Sequence, residues 1–231
     1  QLQTQGKTEI RQSLALIQGM VEVRANAMNQ ETKRLNDLLA STFPGGYSLE
    51  MRDGEPILKH GSVALNGRSD EVDRFTAASK AVATVFARKG DDFLRIATSL
   101  KKENGERAVG TTLGRDHPAY KKILAGESFV GKAKLFGKDY YTAYRPIQEA
   151  GGKVIGILFI GLDISAELEA LKHQIANVKV GSTGYFYVLD AKPGKDQGIA
   201  LIHPAKEGQN ILGAKDPSGR EFIKAMIESR Q

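Results

Sequence analysis

The 231-residue chain contains no cysteine and no tryptophan. Without cysteine there is no disulfide framework, no thiolate zinc site and no cysteine nucleophile. That absence fits a periplasmic and a cytosolic protein equally. Histidine is scarce too: His60, His117, His173 and His203 are dispersed, and no two stand at metal-ligand spacing. No apolar run approaches the roughly 18 residues that a membrane-spanning helix needs. The longest, Val154 to Leu162, is interrupted by two glycines. G-x-S-x-G, an S-x-x-K near a partner, and a phosphate-binding glycine loop are all missing, which excludes the common hydrolase and nucleotide-binding chemistries. Neither a catalytic residue, a metal site nor a cofactor is expected. No signal peptide is recognisable, and the opening QLQTQGKTEIRQ begins in mid-pattern, as an excised piece of a longer chain would.

The charge that is present is unevenly placed. Between Arg88 and Arg145 there are thirteen Lys/Arg against seven acids, which accounts for the whole chain's formal charge of +6. The basic residues alternate along strand-like segments, without an aromatic ribonucleoprotein pattern, a helix-turn-helix spacing or zinc ligands. A nucleic-acid or surface-binding module is therefore the out-of-class alternative, and an anion-binding pocket the preferred reading. Solvated lysines are the plain alternative for most of these residues.

Residues 7–42 read as one long helix, with Leu14, Val21, Met28 and Leu35 every seven residues and Ile10, Ile17, Leu38 and Leu39 widening the stripe. Pro44-Gly45-Gly46 ends it. Such a helix spans roughly 50 Å, a length suited to a stalk, and its partly apolar seam suits a homodimer. YSLEMR and PILKHG are short strands around Asp53-Gly54, and Val63 to Arg68 is a third extended piece. SDEVDRFTAASK begins with a Ser/Asp cap signal and reads as a short helix. AVATVFAR is a strand. From Asp91 to Asp163 the pattern predicts a basic antiparallel meander interrupted by the helix HPAYKKILAG. Its strands are DDFLRIATSLKK, GERAVGTTLG, FVGKAKLFG, YYTAYRPI and KVIGILFIGLD. ISAELEALKHQIANVKV is a second helix. GSTGYFYVLDAK is a further strand, and REFIKAMIESR closes the chain as a helix. The segment GIALIHPAKEGQNILG echoes GTTLGRDHPAYKKILAG, with His203-Pro204 repeating His117-Pro118.

Strict alternation in FLRIATS puts Phe93, Arg95, Ala97 and Ser99 on one face and Leu94, Ile96 and Thr98 on the other. An arginine in mid-strand is costly unless paired. It is either an ion pair with Asp92 or Asp139, or a ligand contact, for which its planar fork suits a carboxylate. Lys132 and Lys134 share a face opposite Phe129, Ala133 and Leu135, as ligand contacts or as solvated residues. Tyr140, Thr142 and Tyr144 share a face of YYTAYRPI, where tyrosine offers an apolar wall with a polar tip; the alternative is packing at a core edge. Arg107 and Thr111 lie before the short helix. The candidate ligand-binding set is therefore Arg95, Ser99, Arg107, Thr111, Lys132, Lys134, Tyr140, Thr142 and Tyr144. His117 and His203 precede proline at helix starts and read as turn residues.

The ordered blocks VDRFTAASKAVATVFARKGDDFLRIATSLKKENGERAVGTTLGRDHPAY (72–120), FVGKAKLFGKDYYTAYRPI (129–147), GKVIGILFIGLDI (152–164) and GSTGYFYVLD (181–190) resemble the extracytoplasmic Cache sensor regions of bacterial methyl-accepting chemotaxis proteins, of the fused Cache-3/Cache-2 type. The resemblance implies an α+β fold of PAS-like antiparallel sheet modules. A stalk helix (1–44) is followed by a membrane-distal ligand-binding module (45–163), a linker helix (164–180) and a partial membrane-proximal module (181–231). It implies a periplasmic, non-catalytic domain of a membrane-anchored receptor, with a small-anion pocket on the distal sheet; related sensors bind citrate and C4-dicarboxylates. The runner-up is the input domain of a membrane histidine kinase or cyclase.

Overall fold

The computed structural model describes residues 2–229 and is of mixed α+β architecture, with antiparallel sheets and a long N-terminal helix. That helix, α1 (Leu2–Ser41), is continuous. The chain forms two compact units, residues 1–22 with 166–231, and residues 23–165. None of the described helices is long and apolar enough to cross a membrane.

The larger unit is built on a five-stranded antiparallel sheet of β4 (Val82–Lys89), β5 (Asp92–Thr98), β6 (Phe129–Leu135), β7 (Lys138–Gln148) and β8 (Val154–Asp163). A small sheet of β1 (Tyr47–Arg52), β2 (Glu55–His60) and β3 (Val63–Ala64) accompanies it. The order of the large sheet is β5-β4-β8-β7-β6. The expected meander therefore holds only for β6 to β8. β4 is inserted between β5 and β8, because β8 is buried along almost its whole length and needs a neighbour on each side. The segment GERAVGTTLG is not a strand. Gly105 and Gly110 sit at φ +84° and +81° and break its ladder. It nevertheless borders β5 through the bridges Leu94–Thr112 and Lys101–Arg107.

One face of the large sheet packs Val85, Ile96, Ala143, Ile155 and Leu158 against Leu35 and Leu39 of α1 and against α2 (Ser69–Ser79). Arg68 occupies the cap position of α2 and makes no side-chain capping bond, so the expected Ser/Asp cap is not made. Buried Asn36 of α1 donates to the carbonyls of Ala143 and Leu158, both at 3.3 Å. The other face packs Phe86, Phe93, Tyr144 and Phe159 under α3 (Pro118–Leu124). Pro118 at the first helical turn and Gly126 just past the end bound this helix.

In the smaller unit, Ile17 of α1 packs with Ile175 of α4 (Ser165–Ala176) and with Ile202 of β12 (Ala200–Ile202). The single strand expected at GSTGYFYVLDAK is instead two short pieces, β10 (Gly184–Tyr185) and β11 (Val188–Leu189). β10 pairs with β9 (Lys179–Val180) and β11 with β12, so neither joins the large sheet. α5 (Phe222–Glu228) closes the described chain.

Candidate functional site

A β-bulge decides which residues of β5 reach the second face of the large sheet. Phe86 pairs with Arg95 and Val85 with Ala97, so Ile96 is the extra residue. The alternation of side chains reverses there. Phe93 and Arg95 stay on the α3 face, as the alternation predicts, while Ser99 does not. Its hydroxyl meets Thr76 of α2 at 2.7 Å and the amide of Ala83 at 2.9 Å, on the opposite face.

Arg95 is 4% exposed. No carboxylate among the described residues forms an ion pair with it. Asp92, expected as a partner, is held by Arg115 at 2.8 Å instead. The guanidinium lies 4.8 Å over the ring of Phe86, a favourable cation–π placement. It donates from Nη1 to Thr111 Oγ1 at 2.6 Å, and its Nε has no partner. Burial pulls its pKa down from the usual guanidinium range, and the nearby Tyr144 acts weakly the other way. Backbone bonds fix the position. Arg95 N donates to Thr111 O, and Gly110 N to Arg95 O, both at 2.9 Å.

Tyr144 is 1% exposed, and its hydroxyl is buried with no group in good hydrogen-bond geometry, the Thr142 side chain being its polar neighbour. Burial pushes its pKa up to about 12, with Arg95 and the nearby Thr142 hydroxyl pulling the other way, so it is a neutral O–H. Its ring lies 4.8 Å from Phe159 and 5.2 Å from His117. His117 is both the turn residue expected and a residue of the site. Its Nδ1 accepts the amide of Ala119 at 3.1 Å as the cap of α3, which leaves the ring proton on Nε2. Burial lowers its pKa; Asp116 opposes this and Arg95 reinforces it. The sequence signal for this residue was the His-Pro pair at a helix start.

Arg95, Thr111, Leu113, His117, Lys134, Leu135, Phe136 and Tyr144 line a cavity of about 520 Å³, within the range of small-molecule sites. Of the nine candidates read from sequence, four line this cavity: Arg95, Thr111, Lys134 and Tyr144. The other five are not among the lining residues. Arg107 is clamped by Asp73 at 2.6 and 2.8 Å and reaches Thr98 O at 2.8 Å. Thr142 donates to Gly131 O at 2.8 Å. Tyr140 packs with Leu100 and Ala108. Lys132 is exposed, and Ser99 is on the α2 face. The local excess of cations is also smaller than composition implies. Lys89, Arg107, Lys138 and Arg145 pair with Glu55, Asp73, Asp163 and Asp37, all outside the 88–145 stretch. The remaining distinctive charge is Arg95. No group of acids, histidines or cysteines able to hold a metal occurs among the described residues.

The fold is similar to the ligand-binding domain of the Campylobacter jejuni chemoreceptor Tlp3 in complex with 4-methylisoleucine, at 16% identity and TM-score 0.44, covering 87% of this chain and 73% of that one. The periplasmic sensory domain of the C. jejuni chemoreceptor Tlp1 gives 14% identity and TM-score 0.42, covering 93% and 79%. The sensor domain of the Vibrio cholerae histidine kinase DctB gives 15% and 0.42, covering 71% of this chain and 56% of that one. No curated protein sequence matches. The model of the Cache 3/Cache 2 fusion domain matches residues 1–231, and the chain belongs to that family of ligand-binding sensor domains.

Proposed function

We propose that this chain is the periplasmic sensor domain of a membrane-anchored chemoreceptor, and that its larger unit binds a small organic anion, a carboxylate, in the cavity beside Arg95. The observation that carries the reading is the buried guanidinium with no acidic partner. Burying a charge is expensive unless it is paired, and a carboxylate in the cavity supplies the missing partner. Tyr144 and His117 add neutral donors that orient it. α1 is the element that takes the signal onward: Leu35 and Leu39 sit on the sheet, while Leu14 and Val21 remain exposed. The exposed part of the stripe fits a homodimer in which a second copy of α1 lies alongside. The small unit, 181–231 with its linker helix, is read as the membrane-proximal module.

The test is a thermal-shift screen of small anions, since a ligand that binds only the folded state raises Tm by mass action, followed by calorimetry on Arg95→Met with the best hit. Loss of a hydrogen-bonded charge contact weakens binding by roughly one to two decades in Kd. Unchanged affinity in a cooperatively folding variant removes Arg95 from the site and overturns the reading.

A further inference from the structure

We infer that the ligand of this cavity carries a single carboxylate and no second anionic group: a monocarboxylate with a short apolar body. The inference rests on the reading that the Arg95 cavity binds an anion, and it follows from counting what the walls offer to negative charge. Arg95 is the one buried cation in the lining. Thr111 already holds Nη1 and Nε is itself buried, so Nη2 is the part of the guanidinium left to a ligand, which suffices for one carboxylate.

Nothing comparable waits for a second charge. Lys134 is exposed at the rim, where water already solvates its ammonium. His117 cannot take a proton at Nδ1 without giving up the amide of Ala119. It therefore contributes a neutral N–H, as Tyr144 contributes a neutral O–H. Three amides of the loop beside the cavity are already engaged. The amides of Gly110, Thr111 and Leu113 donate to Arg95 O, Ala108 O and Phe93 O at 2.9, 3.3 and 3.1 Å. Leu113, Leu135 and Phe136 complete the walls, and these reward an apolar body. A dicarboxylate or citrate would bury a second charge against neutral groups.

The experiment is calorimetry and thermal shift with butyrate, benzoate, succinate and citrate at matched ionic strength, on the wild-type chain and Arg95→Met. The expected result is binding of butyrate or benzoate, abolished by Arg95→Met, with succinate and citrate about tenfold or more weaker. Succinate or citrate binding as tightly as the best monocarboxylate, and lost in Arg95→Met, overturns the single-charge inference while the anion-binding reading stands. No response to any of the four at millimolar concentration, or binding indifferent to Arg95→Met, overturns both.

Discussion

Thr111 Oγ1 accepts the Nη1–H of Arg95 at 2.6 Å and donates its own proton to Ala108 O at 2.7 Å. The second bond orients the hydroxyl so that a lone pair, not a proton, faces the guanidinium. Thr111 is thereby an aimed acceptor for the one buried arginine of the large sheet.

Thr111→Val, similar in shape but without the hydroxyl, should lower stability by about 1–2 kcal/mol, because it strands an N–H of a buried cation. Thr111→Ser should restore most of the loss. Urea unfolding of the three proteins checks it, with a Val variant as stable as wild type as the contrary result.

Tyr144→Phe should move stability and binding in opposite directions. The hydroxyl is buried without a partner, so removing it relieves an unmet hydrogen bond and leaves stability unchanged or up to about 1 kcal/mol higher. Affinity for the anion should fall several-fold, since a donor to the ligand is gone. Paired urea titration and calorimetry would read both signs, and a destabilised Phe variant would contradict the absence of a partner.

His117 has its pKa lowered by burial, with Asp116 opposing and Arg95 reinforcing. The folded state therefore binds this proton less readily than the unfolded state, whose histidine titrates near about 6.5. Stability from this group is complete above that value and declines as pH falls from there toward the folded pKa. His117→Asn keeps an oxygen to cap Ala119 N but has no proton to take up. Its Tm should vary less than the wild-type Tm between neutral pH and the onset of carboxylate protonation. Parallel Tm–pH curves for the two proteins would argue against the assignment.

Gly156→Ala should be strongly destabilising, by about 3 kcal/mol or more. A Cβ on Gly156 would lie 2.4 Å from the carbonyl oxygen of Phe86 on the adjacent strand, with Leu58 and Ile147 also close. A backbone atom in mid-sheet cannot move away cheaply, and pushing β4 from β8 would displace the ring beneath Arg95. Chemical denaturation measures the loss; a near-neutral change would show that the two strands yield.

Much of this protein is legible one segment at a time. The heptad of Leu14, Val21, Met28 and Leu35 specifies α1, since an apolar residue every seven positions keeps to one side of a helix. The alternating and apolar runs specify β6, β7 and β8, and His117-Pro118 with Gly126 bounds α3. Arg95 stood out because a charge among apolar strand positions is anomalous whatever the fold. These are short-range signals, written in residues a few positions apart. Tertiary structure decided the rest. The insertion of β4 between β5 and β8 depends on partners some seventy residues apart, and the bulge at Ile96 in the pairing with β4 turned Ser99 away. The acids that neutralise Lys89, Arg107, Lys138 and Arg145 come from outside the stretch in which those cations were counted. His117 changed from a turn residue into part of the cavity when β7 brought Tyr144 to 5.2 Å. Periodicity and capping determine what an element is and which of its faces is apolar, but pairing register and charge compensation are set by residues that meet only when distant segments pack.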